Sequence, residues 1–402
     1  MAGPALSGIR VLELGGQLSG PYAAMVLADL GAEVIKIESP NLPDPARLVP
    51  STKVGGHTTY YLSLNRNKRS VALDLKDPAG HEAFLQLVDT ADVVLDNFRP
   101  GVTERLGIDH DRLAARNPRI ITCSLSGFGQ TGPDRERPGY DYLMQALAGT
   151  MVLTGDPDGP PTKYGISVVD HVGGLFAAIG VLAAIAARDR DPHGAGRSVD
   201  VALLDTHLSL LSYLAADLLN GGAVPERQRL SAHPTLVPAQ AFPTADGYVV
   251  VMPLANHFFP PLCEAVAMPE LASDPRFADA ASRLAHRDEL LPLLERRFAE
   301  RTTDEWVNEL SARQVPVAPV QSVAEALAMR QVQAREMVVQ LEHPVYGTYR
   351  AVGNPIKISG SGPQPLAPAP TTGQDTGEVL GGLGLSPDLV PARGTTEGRE
   401  GG

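Results

Sequence analysis

The sequence predicts an α/β protein with a large, mostly parallel-sheet domain and a smaller α+β domain. In the first two hundred residues, short β-branched runs alternate with helical patterns, which is typical of a parallel sheet covered by helices. With 402 residues, the chain is also too long for a single small core. Both observations favour a two-domain protein.

Six short runs are predicted to be strands of the large domain. A helix between the first two begins at Pro21 and ends at Gly31, since proline suits a first turn and glycine a helix end. An Asp-Pro pair at Asp77 begins another helix. The predicted strands are residues 10–14, 33–38, 70–75, 92–98, 119–125 and 198–202.

Composition shifts predict the domain boundaries. The large domain spans residues 1–220, and the polar, loop-like segment 221–237 is a linker. Residues 238–320 form the small domain, and the strand-rich segment 321–358 returns to the large one. A Pro/Gly-rich tail, 359–402, is expected to be partly mobile.

Composition and charge exclude several classes of protein. Hydrophobic residues make up 43% and charged residues 20% of the chain, as in packed globular proteins. A net charge of -12 repels nucleic acids and anionic membranes, so neither is an expected partner. An anionic ligand would need a local basic cluster.

The two cysteines, Cys123 and Cys263, are too few for a disulfide framework or a cysteine-rich metal site, which favours a reducing cytoplasm. The N-terminal residues lack the pattern of a signal peptide. The longest apolar run, 172–187, is short for a membrane span and is predicted to be a buried helix.

Five segments in register resemble the class III CoA-transferase family, which contains formyl-CoA and carnitine CoA-transferases and, as a divergent branch, alpha-methylacyl-CoA racemase. The resemblance covers residues 7–357. The segments are GIRVLELGGQLSGPYAAMVLADLGAEVIKIE, NRNKRSVALDLKDPAG, ADVVLDNFRPGVTERLG, SLSGFGQTGPDRERPGYDYLMQALAG and VVDHVGGLFAAIGVLAAI.

The resemblance implies a Rossmann-like large domain and an interlocked homodimer, in which each chain threads through its partner. It also implies transfer of CoA from an acyl-CoA to a carboxylic acid, through an aspartyl mixed anhydride and an aspartyl-CoA thioester. Acyl-CoA is then a substrate, and no tightly bound cofactor or metal is expected.

Asp170 stands where this family carries its nucleophile. On local sequence alone, an aspartate before an apolar helix is a common N-cap. The amide groups at a helix N-terminus favour an ionised carboxylate, and only that form attacks a thioester. Gln17, in the first βα loop, matches a family active-site position and could otherwise be a solvated loop residue. Its loop, GGQLSG, departs from the dinucleotide-binding pattern G-x-G-x-x-G.

Basic residues are candidates for contacts with the phosphates of CoA. Arg66, Lys68 and Arg69 form the densest basic cluster, although such clusters are often solvated faces. Lys76 and Arg105 match family positions that contact the nucleotide part of CoA.

The pair Asn97 and Phe98 follows a predicted strand and lines the CoA site in the family, although Phe98 could also be core. Tyr140 is a further candidate for the CoA site. Arg137 is out of register with a basic family position, and Ser39 replaces an arginine that stacks on adenine in some relatives.

Two alternatives remain open: a 2-methylacyl-CoA racemase and a CoA-binding protein without turnover. The racemase branch uses Gly-His-Asp, whereas this chain has Gly139-Tyr140-Asp141, and tyrosine is a poor base near neutral pH. A glycine-rich loop of formyl-CoA transferase is missing between residues 248 and 256, which argues against formyl-CoA and oxalate. The donor and acceptor acids cannot be named from these motifs.

Overall fold

A computed structural model of the chain describes residues 3–361 and 366–386. Its strands are β1 Arg10–Glu13, β2 Glu33–Glu38, β3 Lys53–Val54, β4 His57–Thr58, β5 Lys68–Ala72, β6 Val93–Asp96, β7 Ile121–Ser126, β8 Ser198–Ala202, β9 Gln240–Pro243, β10 Tyr248–Val251, β11 Val317–Pro319, β12 Val338–His343 and β13 Gly347–Val352. Its α-helices are α1 Ser19–Asp29, α2 Thr59–Leu64, α3 Pro78–Val88, α4 Val102–Leu106, α5 His110–Arg116, α6 Asp141–Leu147, α7 Val168–Arg188, α8 Leu203–Ser209, α9 Ser212–Gly221, α10 Phe259–Ala265, α11 Ala280–Ala285, α12 Arg287–Phe298, α13 Thr303–Ala312, α14 Val323–Ala328, α15 Arg330–Ala334 and α16 Thr376–Gly381.

Six strands form the central sheet in the order β5-β2-β1-β6-β7-β8, and every neighbouring pair is parallel. Counted along the chain, this is the 3-2-1-4-5-6 order of the Rossmann fold. The α/β prediction with a parallel sheet is therefore confirmed. The order reverses between β1 and β6, which leaves a crevice beyond the carboxyl ends of these strands.

Successive side chains along each strand point to opposite faces of the sheet, so a separate hydrophobic core forms on each face. Val11 of β1 points into the core that contains α1 and α7, whereas Leu12 points into the core that contains α3 and α5. A sheet covered on both faces requires apolar residues at successive positions, which explains the continuous β-branched runs.

Helix α7 packs closely on α1 through glycine. A Cβ atom on Gly174 would lie 2.8 Å from the carbonyl oxygen of Ser19, so a larger residue would separate the helices. The opposite face is exposed in the single chain, with Leu175 and Phe176 each 39% and Ile179 58% accessible. The expectation of a fully buried helix is thus corrected. Within the described residues, α7 alone has the length and composition of a membrane span.

The chain divides into two compact units. One comprises Met1–Ala148, Gly165–Ser212 and Gln331–Gly402; the other comprises Gly149–Tyr164 and Tyr213–Arg330. The expected linker 221–237 belongs to the second unit. Its Arg227 donates hydrogen bonds to the carbonyl groups of Val152 and Gly159, and these contacts fix the segment to the loop before α7.

The second unit contains an antiparallel sheet, β11-β10-β9, packed against helices around Phe242, Phe298 and Trp306. Four residues, 252–255, lead from β10 directly into helical turns. No glycine occurs in this connection.

The described part of the expected tail packs on the first unit. The Asp375 carboxylate accepts a hydrogen bond from the Ser70 backbone, and Thr376 accepts one from Ala72, so α16 covers the edge strand β5. Covering an edge strand removes unpaired backbone groups from solvent. Residues 366–386 thus contact the edge of the sheet, whereas residues 362–365 and 387–402 lie outside the described part; the partly mobile tail stays a prediction.

Candidate active site

A cavity of about 350 Å³ opens at the crevice where the strand order reverses. Its walls come from the loop after β1, the ends of β6 and β7, and the first turn of α7. Among the residues predicted from sequence, it brings together Gln17, Asn97, Phe98, Tyr140 and Asp170.

Asp170 is the third residue of α7. Ser167, not Asp170, flanks the helix, so the aspartate is not an N-cap. Its carboxylate makes no hydrogen bond within the described part of the chain, and the N–H groups of Val168 and Val169 in the same turn already donate to the Ile166 carbonyl and to Asp141. A carboxylate that is not held by the protein is available to a ligand in the cavity.

Burial raises the pKa of Asp170 to about 7, and the neighbouring carboxylate of Asp141 adds to the rise. Both effects disfavour the charged form, one by removing water and the other by repulsion between like charges. Such a pKa keeps the ionised and neutral forms in balance near neutral pH. It also makes the ionised form less stabilised, and hence more reactive, than an exposed carboxylate.

Asp141 begins α6 and helps to fix the start of α7. Its Oδ1 atom accepts a hydrogen bond from the Val169 backbone at 2.9 Å, and its Oδ2 atom accepts one from Gln145 at 2.7 Å. Asp141 therefore supplies from another helix the cap that α7 lacks locally. The same contact places its negative charge near Asp170.

Gln17 has a left-handed backbone conformation, with φ at 61°. Its backbone N–H donates to Oδ1 of Asp44 at 2.9 Å. Its exposed side chain lines the cavity, and the side-chain amide makes no hydrogen bond to any described residue. That amide is free to donate to an oxygen of a bound thioester.

Asn97 supports the Gln17 loop. Its side-chain oxygen accepts from the Gly16 N–H at 3.0 Å, and its amide nitrogen donates to the Gly16 carbonyl at 2.9 Å and to Ser19 at 3.3 Å. Asn97 thus shapes the loop and also lines the cavity, so its contact with CoA stays a prediction. Phe98 remains a wall of the cavity.

Two glycines allow the segment before Tyr140 to approach the sheet. A Cβ atom on Gly127 would lie 2.5 Å from the Cα atom of Gly139, so neither position admits a side chain without displacement. This contact fixes the position of the backbone next to Tyr140. The Tyr140 residue is 53% exposed. The cavity wall also contains the cationic side chains of Arg99 and Arg137.

A second, mainly apolar cavity of about 240 Å³ shares Gly16, Pro45 and Phe98 with the first, so the two cavities adjoin, and together they are called the groove. Ser39 lies on its wall. Lys76 and Arg105 are each adjacent in sequence to a wall residue, Leu75 and Leu106. Both cations are exposed and make no ion pair with described residues.

The predicted cluster of Arg66, Lys68 and Arg69 does not face this groove. Arg66, with a side chain 5% exposed, pairs with Asp29, and the fully buried Lys68 pairs with Glu13 at 2.7 Å. Arg69 contacts Glu33 at 3.1 Å and is also paired with residues of the C-terminal segment. We therefore correct the expectation that the cluster binds CoA, because its charges are neutralised within the fold.

Sequence reasoning missed three residues of the site, Asp44, Asp141 and Ser126. Asp44 precedes a proline, a pattern that signals a cap, and it does cap the turn at Ala46. Its second contact, with Gln17, joins distant parts of the chain and leaves no local signal. Within the described residues there is no group of three or more His, Cys, Asp or Glu side chains suited to a metal ion.

Comparisons with known proteins agree with this geometry. The model of CoA-transferase family III matches residues 6–376. An acetyl-CoA:oxalate CoA-transferase of Acetobacter aceti is 40% identical, with 88% of this chain and 89% of that protein covered. The human succinyl-CoA:glutarate CoA-transferase is 36% identical, with coverages of 93% and 85%.

A solved structure of a CAIB/BAIF family protein from Brucella suis superposes with a TM-score of 0.84 at 35% identity. The match covers 95% of this chain and 100% of that one. The predicted family is thus confirmed across nearly the whole chain. The protein belongs to CoA-transferase family III and is an enzyme that uses CoA thioesters as substrates.

Proposed function

We propose that this CoA-transferase moves CoA from an acyl-CoA donor to a carboxylic acid through covalent intermediates on Asp170. The observation that carries the proposal is the half-buried Asp170 carboxylate, which lines the cavity without a hydrogen-bond partner among the described residues. A nucleophile needs such a position, since its lone pairs must reach the substrate.

The proposed reaction needs no external oxidant or energy source. An Asp170 oxygen attacks the thioester carbonyl carbon, the C–S bond breaks, and CoA leaves as its thiolate. The thiolate then attacks the Asp170 carbonyl carbon, which releases the donor acid as a carboxylate and leaves an aspartyl-CoA thioester. The acceptor carboxylate repeats these steps in reverse and regenerates ionised Asp170.

Each attack passes through a tetrahedral intermediate with a negative oxygen. The free amide of Gln17 is the proposed donor to that oxygen, because it lines the same cavity as Asp170 and makes no hydrogen bond to a described residue. A donor held in place before the reaction stabilises the developing charge without reorganisation. Tyr140 forms part of the same wall and is proposed to contact the acyl-CoA.

The groove formed by the two adjoining cavities offers a path for the CoA chain. We propose that the pantetheine arm passes Phe98, where the two cavities meet, and that the nucleotide part occupies the apolar cavity beside Ser39. Lys76 and Arg105 stand at that end with unpaired charges. They can therefore meet the phosphates of CoA, which an acidic protein would otherwise repel.

Small dicarboxylic acids are the proposed donor and acceptor class. Arg99 and Arg137 bring positive charge to the cavity, and Arg99 has no ion pair with described residues. The two relatives named above act on oxalate and glutarate. The absent glycine-rich loop argued against oxalate, but a relative with that substrate keeps oxalate in the panel to be tested.

The racemase alternative lacks a suitable second base. Tyr140 replaces the histidine of the racemase motif. His171 adjoins Asp170, but its Nδ1 atom pairs with the Ser167 carbonyl at 2.8 Å, and its ring packs against Tyr22 outside the first cavity. The alternative of a CoA-binding protein without turnover would leave the unheld, desolvated carboxylate of Asp170 unexplained.

We also propose an interlocked homodimer in the cytoplasm. The exposed apolar side chains of Leu175, Phe176 and Ile179 on α7 favour cover by a second copy of the chain. Cys123 and Cys263 are free and buried, as is common in reducing compartments. Sedimentation velocity measures the state of assembly directly.

Replacing Asp170 by alanine is expected to reduce transfer by at least roughly 10³-fold, because the nucleophile is lost. The wild type, incubated with succinyl-CoA and then hydroxylamine, is expected to carry a hydroxamate at Asp170 by peptide mass spectrometry. Asp189→Ala, the same change at the other end of α7, is the control and should retain activity. Full activity of Asp170→Ala would refute the assignment; exchange of the alpha hydrogen with solvent deuterium would indicate a racemase.

The pH dependence follows from the pKa of Asp170. Only the ionised form attacks, so kcat/KM is expected to rise roughly tenfold per pH unit below pH 7 and to level off above it. Asp141→Asn removes a neighbouring negative charge, which favours ionisation and should lower the apparent pKa. The control is Asp111→Asn, an exposed carboxylate on α5. An unchanged profile in Asp141→Asn would contradict the electrostatic account.

A further inference from the structure

Four charged side chains form a buried chain beneath the Gln17 loop. Lys68 pairs with Glu13 at 2.7 Å, Glu13 with Lys36 at 3.0 Å, and Lys36 with Asp44 at 2.9 Å. Three of the side chains are fully buried and that of Asp44 is 2% exposed. Buried ion pairs are costly to desolvate and often add little to stability, so their presence beside an active site calls for a functional reason.

The buried chain ends on the loop that carries Gln17. Lys36 donates a hydrogen bond to the Gly15 carbonyl at 2.6 Å, and Asp44 accepts from the N–H groups of Gln17 and Ala46, each at 2.9 Å. The two contacts hold the loop on both sides of Gly16. From the other side, Asn97 binds both backbone groups of Gly16.

Gln17 needs this support because its backbone is strained. A left-handed conformation is unfavourable for a residue other than glycine, so other contacts must offset its cost. Burial opposes ionisation of Asp44, but Lys36 and the two backbone donors outweigh it and lower the pKa of Asp44. The acceptor that holds the Gln17 N–H therefore stays charged near neutral pH, which strengthens the hydrogen bond.

We propose that Asp44 is a positioning residue for Gln17, that Lys36 keeps it charged, and that Glu13 and Lys68 hold Lys36 in place. The proposal rests on the proposed function, in which the Gln17 amide stabilises the tetrahedral intermediates. It gives Lys68 a role from inside the fold rather than at the phosphates of CoA. The buried ions act on the reaction only through the conformation of one residue.

The test is a double-mutant cycle on Asp44→Asn and Gln17→Ala with the best donor and acceptor found in a panel. Asp44→Asn is expected to lower kcat by about 10–100-fold and to leave the KM for acyl-CoA within about twofold, as for loss of a transition-state donor. If Asp44 acts through Gln17, the double variant is no slower than Gln17→Ala alone. If the fold-decreases in kcat of the two single variants multiply in the double variant, the proposal is overturned. It is also overturned if Asp44→Asn keeps the kcat of the wild type.

A matched control separates positioning from general loss of stability. Asp29→Asn breaks the buried pair with Arg66, which does not contact the Gln17 loop, so its effect on kcat should multiply with that of Gln17→Ala. If Asp44→Asn does not fold, Glu13→Gln is the second variant, since Glu13 reaches the loop only through Lys36. If the wild type transfers CoA between no pair of acids in the panel, the proposed function is refuted. If the wild type is active but the kcat losses of Asp44→Asn and Gln17→Ala multiply, only this inference is refuted.

An independent observation concerns Ser126, at the end of β7. Its hydroxyl is buried, with the residue 5% exposed, and has no hydrogen-bond partner in the part of the chain that the structure describes. Ser126 lines the same cavity as Asp170 and Gln17. A buried polar group without a partner destabilises the fold, so a functional explanation is needed.

We infer that the Ser126 hydroxyl donates a hydrogen bond to the bound acyl-CoA. Ser126→Ala is then expected to lower kcat/KM for the acyl-CoA roughly 5–20-fold, the loss of one neutral hydrogen bond, while the Tm of the free enzyme stays equal or rises. Ser124→Ala is the contrast: its hydroxyl donates to Asp96 at 2.8 Å, so its loss should lower Tm. Unchanged kcat/KM, or a lower Tm in Ser126→Ala, would overturn the inference.

Discussion

The structure depends on one constraint: the carboxylate of Asp170 must be shielded from water and yet remain able to lose its proton. Burial and the charge of Asp141 both raise its pKa. The resulting pKa of about 7 is a compromise between reactivity and charge. An exposed aspartate would be always ionised, but water would stabilise it and reduce its nucleophilicity.

The fold supplies each part of this compromise. Reversal of the strand order between β1 and β6 opens the crevice, and α7 brings Asp170 to its mouth. Asp141 caps α7 from another helix, so Asp170 is not needed for that purpose. Glycines at Gly127, Gly139 and Gly174 permit the close packing that brings these elements together. The site is therefore assembled from rigid elements and one strained loop.

Charge serves two different purposes in this acidic protein. Within the first unit, lysines and carboxylates neutralise one another beneath the Gln17 loop and hold its shape. At the surface, Lys76 and Arg105 remain unpaired among the described residues and can meet an anionic ligand. Charged side chains thus shape the site from within the fold and attract the substrate at the protein surface. Only side-chain direction separates these roles.

That difference explains how far the sequence could predict the structure. Periodicity and turn residues predicted the parallel sheet, and the motifs predicted that Gln17, Phe98 and Asp170 would meet in one cavity. Charge density could not reveal that Arg66 and Lys68 point inward, because their partners, Asp29 and Glu13, are distant in sequence.

The roles of Asp44 and Asp141 escaped prediction for a similar reason. Each makes a local contact with an obvious sequence signal and a second contact across 27 or 28 residues. The exposed face of α7 was also unpredictable from its composition. An apolar helix is predicted to be buried, and its composition does not tell whether its own chain or another chain packs on it.

The most direct test of the central claim follows oxygen atoms through Asp170. An acceptor acid labelled with ¹⁸O in its carboxylate should, after one turnover, leave ¹⁸O in the peptide that contains Asp170, because the bridging anhydride oxygen comes from the acceptor and stays on the aspartate when the CoA thiolate attacks the acyl carbon. Formation of the new acyl-CoA with no label in that peptide would contradict a covalent role for this carboxylate.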